Sequence, residues 1–112
     1  MTILVVESSQ TELAAIASII GSAYPKAQIH PFDDGMEAVQ YGFNHQIDVV
    51  YSAVILPHLT GFDIARLLRR VHPDIKVYLL DNSTQYQKRA EKEGISGFHC
   101  LPLTKAAIRE AD

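Results

Sequence analysis

The stretch "IDVVYSAVILPHLTG", residues 47–61, decides the fold. Its first half is a run of β-branched and apolar residues, the composition of a strand buried on both faces. Its second half sets Pro57 and Gly61 at a fixed offset, so the strand runs into a loop that opens a helix. Loops at such strand ends commonly carry the chemistry of an α/β domain. From Ser52 to Pro57, however, this one has a single hydroxyl and otherwise small or apolar side chains.

Similar runs lie on either side. "TILVV" at the start predicts a buried strand, and "SSQTELAAIASIIGSAY" predicts a helix. Ser9 with Glu12 has capping-box spacing, and Leu13, Ile16, Ile20 and Ala23 recur at helical intervals. "AQIHPF" is a weaker strand whose Pro31 suits an edge. "DDGMEAVQYGFNH" predicts a short helix with Met36, Val39 and Phe43 inward. "GFDIARLLRRVH" is amphipathic, with Phe62, Leu67 and Val71 expected inward and Arg66, Arg69 and Arg70 in solvent. "IKVYLL" is a strand, "STQYQKRAEKEG" a polar helix and "GFHCL" a short strand. "TKAAIREAD" begins a helix with Thr104 at the cap and reaches the chain end after about two turns. That stunted helix suits a piece of a longer protein, or an end remodelled in an oligomer.

Five strands thus alternate with five helices, and residues 1–112 suit one domain. The alternation predicts an α/β fold, a doubly wound five-stranded parallel sheet with helices on both faces. For this size the common solution is the flavodoxin-like three-layer sandwich with strand order 2-1-3-4-5. Its switch point lies at the carboxyl ends of strands 1 and 3, which here are "VVESS" and "YSAV".

Composition removes several function classes. A net charge of −3 gives nucleic-acid phosphates no general attraction. Cys100 is alone, so no internal disulfide forms, and a buried core thiol is expected. The start has no basic region before Glu7, and no apolar run spans a bilayer, which points to a cytoplasmic chain without membrane contact. The five histidines (His30, His45, His58, His72, His99) lack zinc-ligand spacing.

In order and spacing, "ILVVESSQ", "DDGMEAV", "LPHLTG" and "GISGFHCLPL" resemble the receiver domains of bacterial two-component response regulators, over essentially the whole chain. The resemblance implies a site at the crevice, position by position. Glu7 keeps one carboxylate of the family's magnesium-binding acidic pair, and Ser8 replaces the other. Ala53 stands at the phosphoacceptor aspartate, four residues before the loop proline. Asp81 replaces the hydroxyl that senses the phosphoryl group, and Leu101 replaces the lysine that pairs with it. The strand-5 aromatic survives as Phe98. The family's X–Pro bond predicts a cis Leu101–Pro102 peptide.

Chemistry decides how to read these changes. Phosphoryl transfer needs an in-line nucleophilic oxygen, and a methyl group offers none. Ser52 points away from where Ala53 points, because successive strand residues alternate. Glu7 and Asp81 are weak candidates for a cation site, since Mg²⁺ favours octahedral oxygen coordination; the simpler expectation is two solvated carboxylates and no metal or other cofactor. Were they to lie close, one would titrate with a raised pKa, with His58 as a candidate counter-charge. Leu101 and Ala53 are expected to form a small apolar plug.

These readings predict a pseudo-receiver: a non-enzymatic, phosphorylation-independent protein-interaction module in signalling. Its implied partners are a signalling kinase, a regulator or a fused output domain, with homodimerisation as a further form. Receivers commonly use the surface around strand 5 and its flanking helices for output or dimerisation, which here selects Tyr86, Phe98, His99, Lys105 and Ile108. The rival readings are phosphorylation displaced to Ser8 or Ser9, and a flavodoxin-like ligand-binding protein using the hydroxyls of "ESSQTE" before a helix N-terminus. That loop lacks the glycine that would let backbone wrap a phosphate. No nucleophile, base and orienter can be assembled into a hydrolase.

Overall fold

The computed structural model describes residues 1–111. In chain order its elements are β1 (Thr2–Val6), α1 (Gln10–Ala23), β2 (Gln28–Phe32), α2 (Gly35–Asn44), β3 (Val49–Ala53), α3 (Gly61–Arg69), β4 (Lys76–Asp81), α4 (Gln87–Lys92), β5 (Gly97–Cys100) and α5 (Lys105–Ala111). Neighbouring strands all pair parallel, in the order β2-β1-β3-β4-β5. Pro31 lies on the edge strand β2, where a missing N–H is tolerated.

Strand alternation divides the core between the two faces of the sheet. Leu4, Val6, Val50, Val77 and Leu79 face α2, α3 and α4 and pack with Val39, Phe62, Ala65, Leu68 and Ala90. Ile3, Val5, Tyr51, Tyr78 and Leu80 face α1 and α5 and pack with Leu13, Ile16, Ile20 and Ile108. The result is the expected three-layer, flavodoxin-like sandwich.

Two helix faces differ from expectation. Met36 and Phe43 are 53% and 47% exposed, because α2 buries Ala38 and Val39 in the core and sets Gly35 against Leu59 and Gly42 against Leu68 of α3. The expected periodicity had followed the largest side chains, whereas the close approach of α2 selects the smallest. On α3, Phe62, Ile64, Ala65 and Leu68 are buried, Leu67 is half-buried and Val71, beyond the helix end, is 48% exposed.

The fourth helix is shorter than its polar run suggests. Asp81 Oδ2 accepts from Ser83 N at 3.2 Å and Ser83 Oγ at 2.9 Å, and this local turn displaces the first helical turn. Gly94 follows the helix at φ 70°, a left-handed conformation suited to a helix end. The Leu101–Pro102 peptide is cis.

Candidate functional site

The β3–α3 loop is held by backbone before any side chain matters. Val54 N donates to Leu80 O at 3.0 Å, Gly61 N to Val54 O at 2.9 Å, and Ile55 bridges Thr60. Leu56 and Leu59 point into the core, while Pro57 and His58 form the exposed tip, with His58 at φ 73°. Thr60 caps α3 reciprocally: its Oγ1 accepts from Asp63 N at 3.2 Å, and Asp63 Oδ2 accepts from Thr60 N at 2.8 Å. That bonding, with Arg66 beside it, holds the Asp63 carboxyl below its ordinary pKa. A Cβ on Gly61 would lie 2.5 Å from Ala53 O, so only glycine lets α3 start this close to β3.

Ala53 ends β3 as a buried methyl in the cluster on the α2–α3 side. The Ser52 hydroxyl is fully buried and donates to Ala53 O at 2.9 Å. Leu101 packs instead against the α1–α5 side, so the expected apolar plug with Ala53 does not form as one cluster. Cys100 is exposed rather than core, and its thiol sits 3.6 Å from Asn82 O. Alternation along the short β5 gives the buried position to His99 instead.

Glu7 corrects a second expectation. It is 7% exposed, not solvated, because it continues the Ile3–Val5 face of β1 toward α1. Its Oε2 accepts from Ser8 N at 2.9 Å. Burial, aided by a hydrogen bond and repulsion from the Glu12 carboxyl, pushes its pKa up to about 7, against the pull of the Ser8 N–H. The partner is thus Glu12, not Asp81, whose carboxylate is taken by Ser83. His58 at the loop tip is exposed and takes no part in the Glu7 shift.

The role of Glu12 was not visible in the sequence, where it reads as the second half of a capping box. Ser9 Oγ does accept from Glu12 N at 3.4 Å. The five-residue offset from a strand-end carboxylate was the available signal, since it returns the first turn of α1 to the end of β1. Ser8 and Ser9 are both exposed at that turn.

These donors do not fit the family's magnesium. Glu7 holds its proton up to about pH 7 and faces a second carboxyl. Ala53 brings no side-chain oxygen and Asp81 is engaged locally. An octahedral cation needs several free oxygens converging on one point. Among the described residues, no three His, Cys, Asp or Glu side chains gather as a metal site.

The expected docking residues separate into two groups. His99 is 9% exposed, stacks near Tyr51 and Tyr78, and is held below its ordinary pKa by burial. Ile108 is fully buried against α1, so neither can lie on an interface. Phe98 and Tyr86 are half-buried against the α3–α4 side, and Lys105 is half-buried at the start of α5. Tyr86 meets Phe62 edge-on at 6.3 Å, and Arg89 covers the Phe62 ring at 4.0 Å. No helix among the described residues is long and apolar enough to cross a membrane.

Solved structures share this architecture. A receiver domain protein from Clostridium thermocellum is 24% identical, with a TM-score of 0.86, covering 98% of this chain and 89% of that one. The chemotaxis response regulator CheY4 of Vibrio cholerae is 19% identical at TM-score 0.79, covering 99% and 98%. The receiver domain of a sensor histidine kinase from Pseudomonas aeruginosa PAO1, solved with magnesium coordinated in its active site cleft, is 18% identical at TM-score 0.82, covering 97% and 91%. No curated protein matches the sequence. The family model for the response regulator receiver domain matches residues 3–111, and the chain belongs to that family.

Proposed function

We propose that this chain is a pseudo-receiver: a single receiver-like unit that signals by binding another protein, without aspartyl phosphorylation. The observation that carries this reading is Ala53, a buried methyl where the family places its phosphoacceptor. Its surroundings support the same conclusion, because each remaining part of the chemistry is altered. Leu101 supplies no cation, Asp81 places negative charge where a phosphoryl group would be sensed, and Ser8 stands where the second acid of the magnesium pair would be. Restoring one group would leave the others missing.

Binding is then the function left to the scaffold, and the half-buried Phe98 and Tyr86, with Lys105, form the proposed partner face. Aromatic and basic residues on a compact face suit an interface. The class of partner is a signalling kinase, regulator or output domain, the proteins with which receivers work. The test is a pull-down with wild-type and Phe98→Ala protein, with and without acetyl phosphate and Mg²⁺. The expected partner binds wild type equally in both conditions and is lost with Phe98→Ala. A partner retained only after acetyl phosphate treatment would overturn the reading.

A further inference from the structure

An apolar groove of about 270 Å³ lies between α1 and the β5–α5 loop. Its walls are Ile16 and Ile19 of α1 with Leu101 and Leu103, and Glu12 and Asn82 supply its polar rim. The volume is near the lower end of small-molecule sites, about 300–1,000 Å³. An apolar wall with few polar groups is also the usual make-up of such sites.

Charge selects the occupant. Among the described residues Glu12 is the only charged side chain lining the groove, and the buried Glu7 carboxyl stands behind it. Among the described residues the ion pairs are Arg66 with Asp63 and Arg89 with Glu93, so neither Glu7 nor Glu12 has a cation of its own. A ligand ammonium at Glu12 would supply that missing charge, while its hydrocarbon body covered Ile16, Ile19 and Leu103. An anion would meet Glu12 with no compensating positive group, and a neutral apolar molecule would leave the carboxyl pair as it is.

We infer that the α1/β5–α5 groove is a binding site for a small apolar molecule carrying a protonated amine, with Glu12 as its charge partner and Leu101 as part of its wall. The inference is independent of the partner face around Phe98 and of whether any residue is phosphorylated.

The test titrates 2-phenylethylammonium, 2-phenylethanol and phenylacetate separately into the protein at about pH 8, where a primary amine stays protonated. Methyl and amide NMR signals report binding. The amine is expected to give saturable shifts at Ile16, Ile19 and Leu103 and to bind about tenfold more tightly than the alcohol, the scale of one charge-assisted hydrogen bond. Phenylacetate should be weakest. Glu12→Gln, at an exposed position, should bring amine and alcohol to equal affinity. Leu101→Lys should abolish amine binding by placing a cation in the groove. Equal binding of amine and alcohol to wild type, shifts confined to other surfaces, no saturable shift, or full amine binding by Leu101→Lys would each overturn the inference.

Discussion

Two sides of one crevice behave differently. On the β3–α3 side, the loop keeps its backbone closure, its reciprocal cap and its glycine contact against Ala53 O. On the facing side, the ends of β1, β4 and β5 carry Glu7, Asp81 and Leu101 and hold no common arrangement. Glu7 turns to Glu12, Asp81 to Ser83, and Leu101 to the α1–α5 cluster. The difference separates shape from chemistry. Loop shape is fixed by contacts that the whole core needs, whereas a side chain whose only task is a reaction can be replaced and then finds local partners.

If that contrast holds, the largest effect belongs to the backbone contact of the loop. Gly61→Ala puts a Cβ 2.5 Å from a carbonyl oxygen and 2.7 Å from Leu79 Cδ2, and it should destabilise by about 3 kcal/mol in urea unfolding. A loss below about 0.5 kcal/mol, the scale of an ordinary surface change, would mean that the loop shape is not needed.

Glu7 probes the facing side through pH. Its folded pKa, about 7, lies above the ordinary 4.5, so the folded state binds the proton more tightly. Its stabilising contribution is therefore full below the unfolded pKa and is lost as pH rises toward and through 7. The span corresponds to roughly 3 kcal/mol. Glu7→Gln, which mimics the protonated form, should be more stable than wild type by about 2 kcal/mol near pH 8, with little difference near pH 4. Equal stability of the two proteins across that range would contradict the buried carboxyl pair. His99 works in the opposite sense: with a depressed pKa, its contribution is lost as pH falls below its unfolded value of 6.5. The variant-minus-wild-type difference is therefore the quantity to read.

The smallest of the three concerns the cap. Thr60→Ala removes one half of a reciprocal pair and should cost about 1 kcal/mol, with the pKa of Asp63 rising toward its ordinary value as the threonine hydroxyl is lost. An unchanged Asp63 titration by NMR would show that the Thr60 hydroxyl does not hold that carboxylate.

Much of this was legible in the sequence because it rests on local rules. The β-branched runs gave the strands, Ser9 and Thr104 cap their helices as their spacing predicts, and the alternation of elements led to the sheet order. Set beside the family pattern, the offset of Ala53 from Pro57 marks it as the expected acceptor position without coordinates. What could not be read depended on neighbours from distant parts of the chain. Met36 and Phe43 look like core residues until the core and the neighbouring α3 select Ala38 and Gly42 instead. Cys100 and His99 exchange their expected environments through the side of β5 that each occupies. Glu12 reads as a cap because the strand end it faces lies across a turn.

The central claim concerns phosphorylation, and intact-mass spectrometry after incubation with acetyl phosphate and Mg²⁺ tests it most directly. The expected mass is identical to that of untreated protein, because Ala53 offers no oxygen and Glu7, Asp81 and Leu101 do not rebuild the site. A stable added phosphoryl group on the wild-type chain would contradict it.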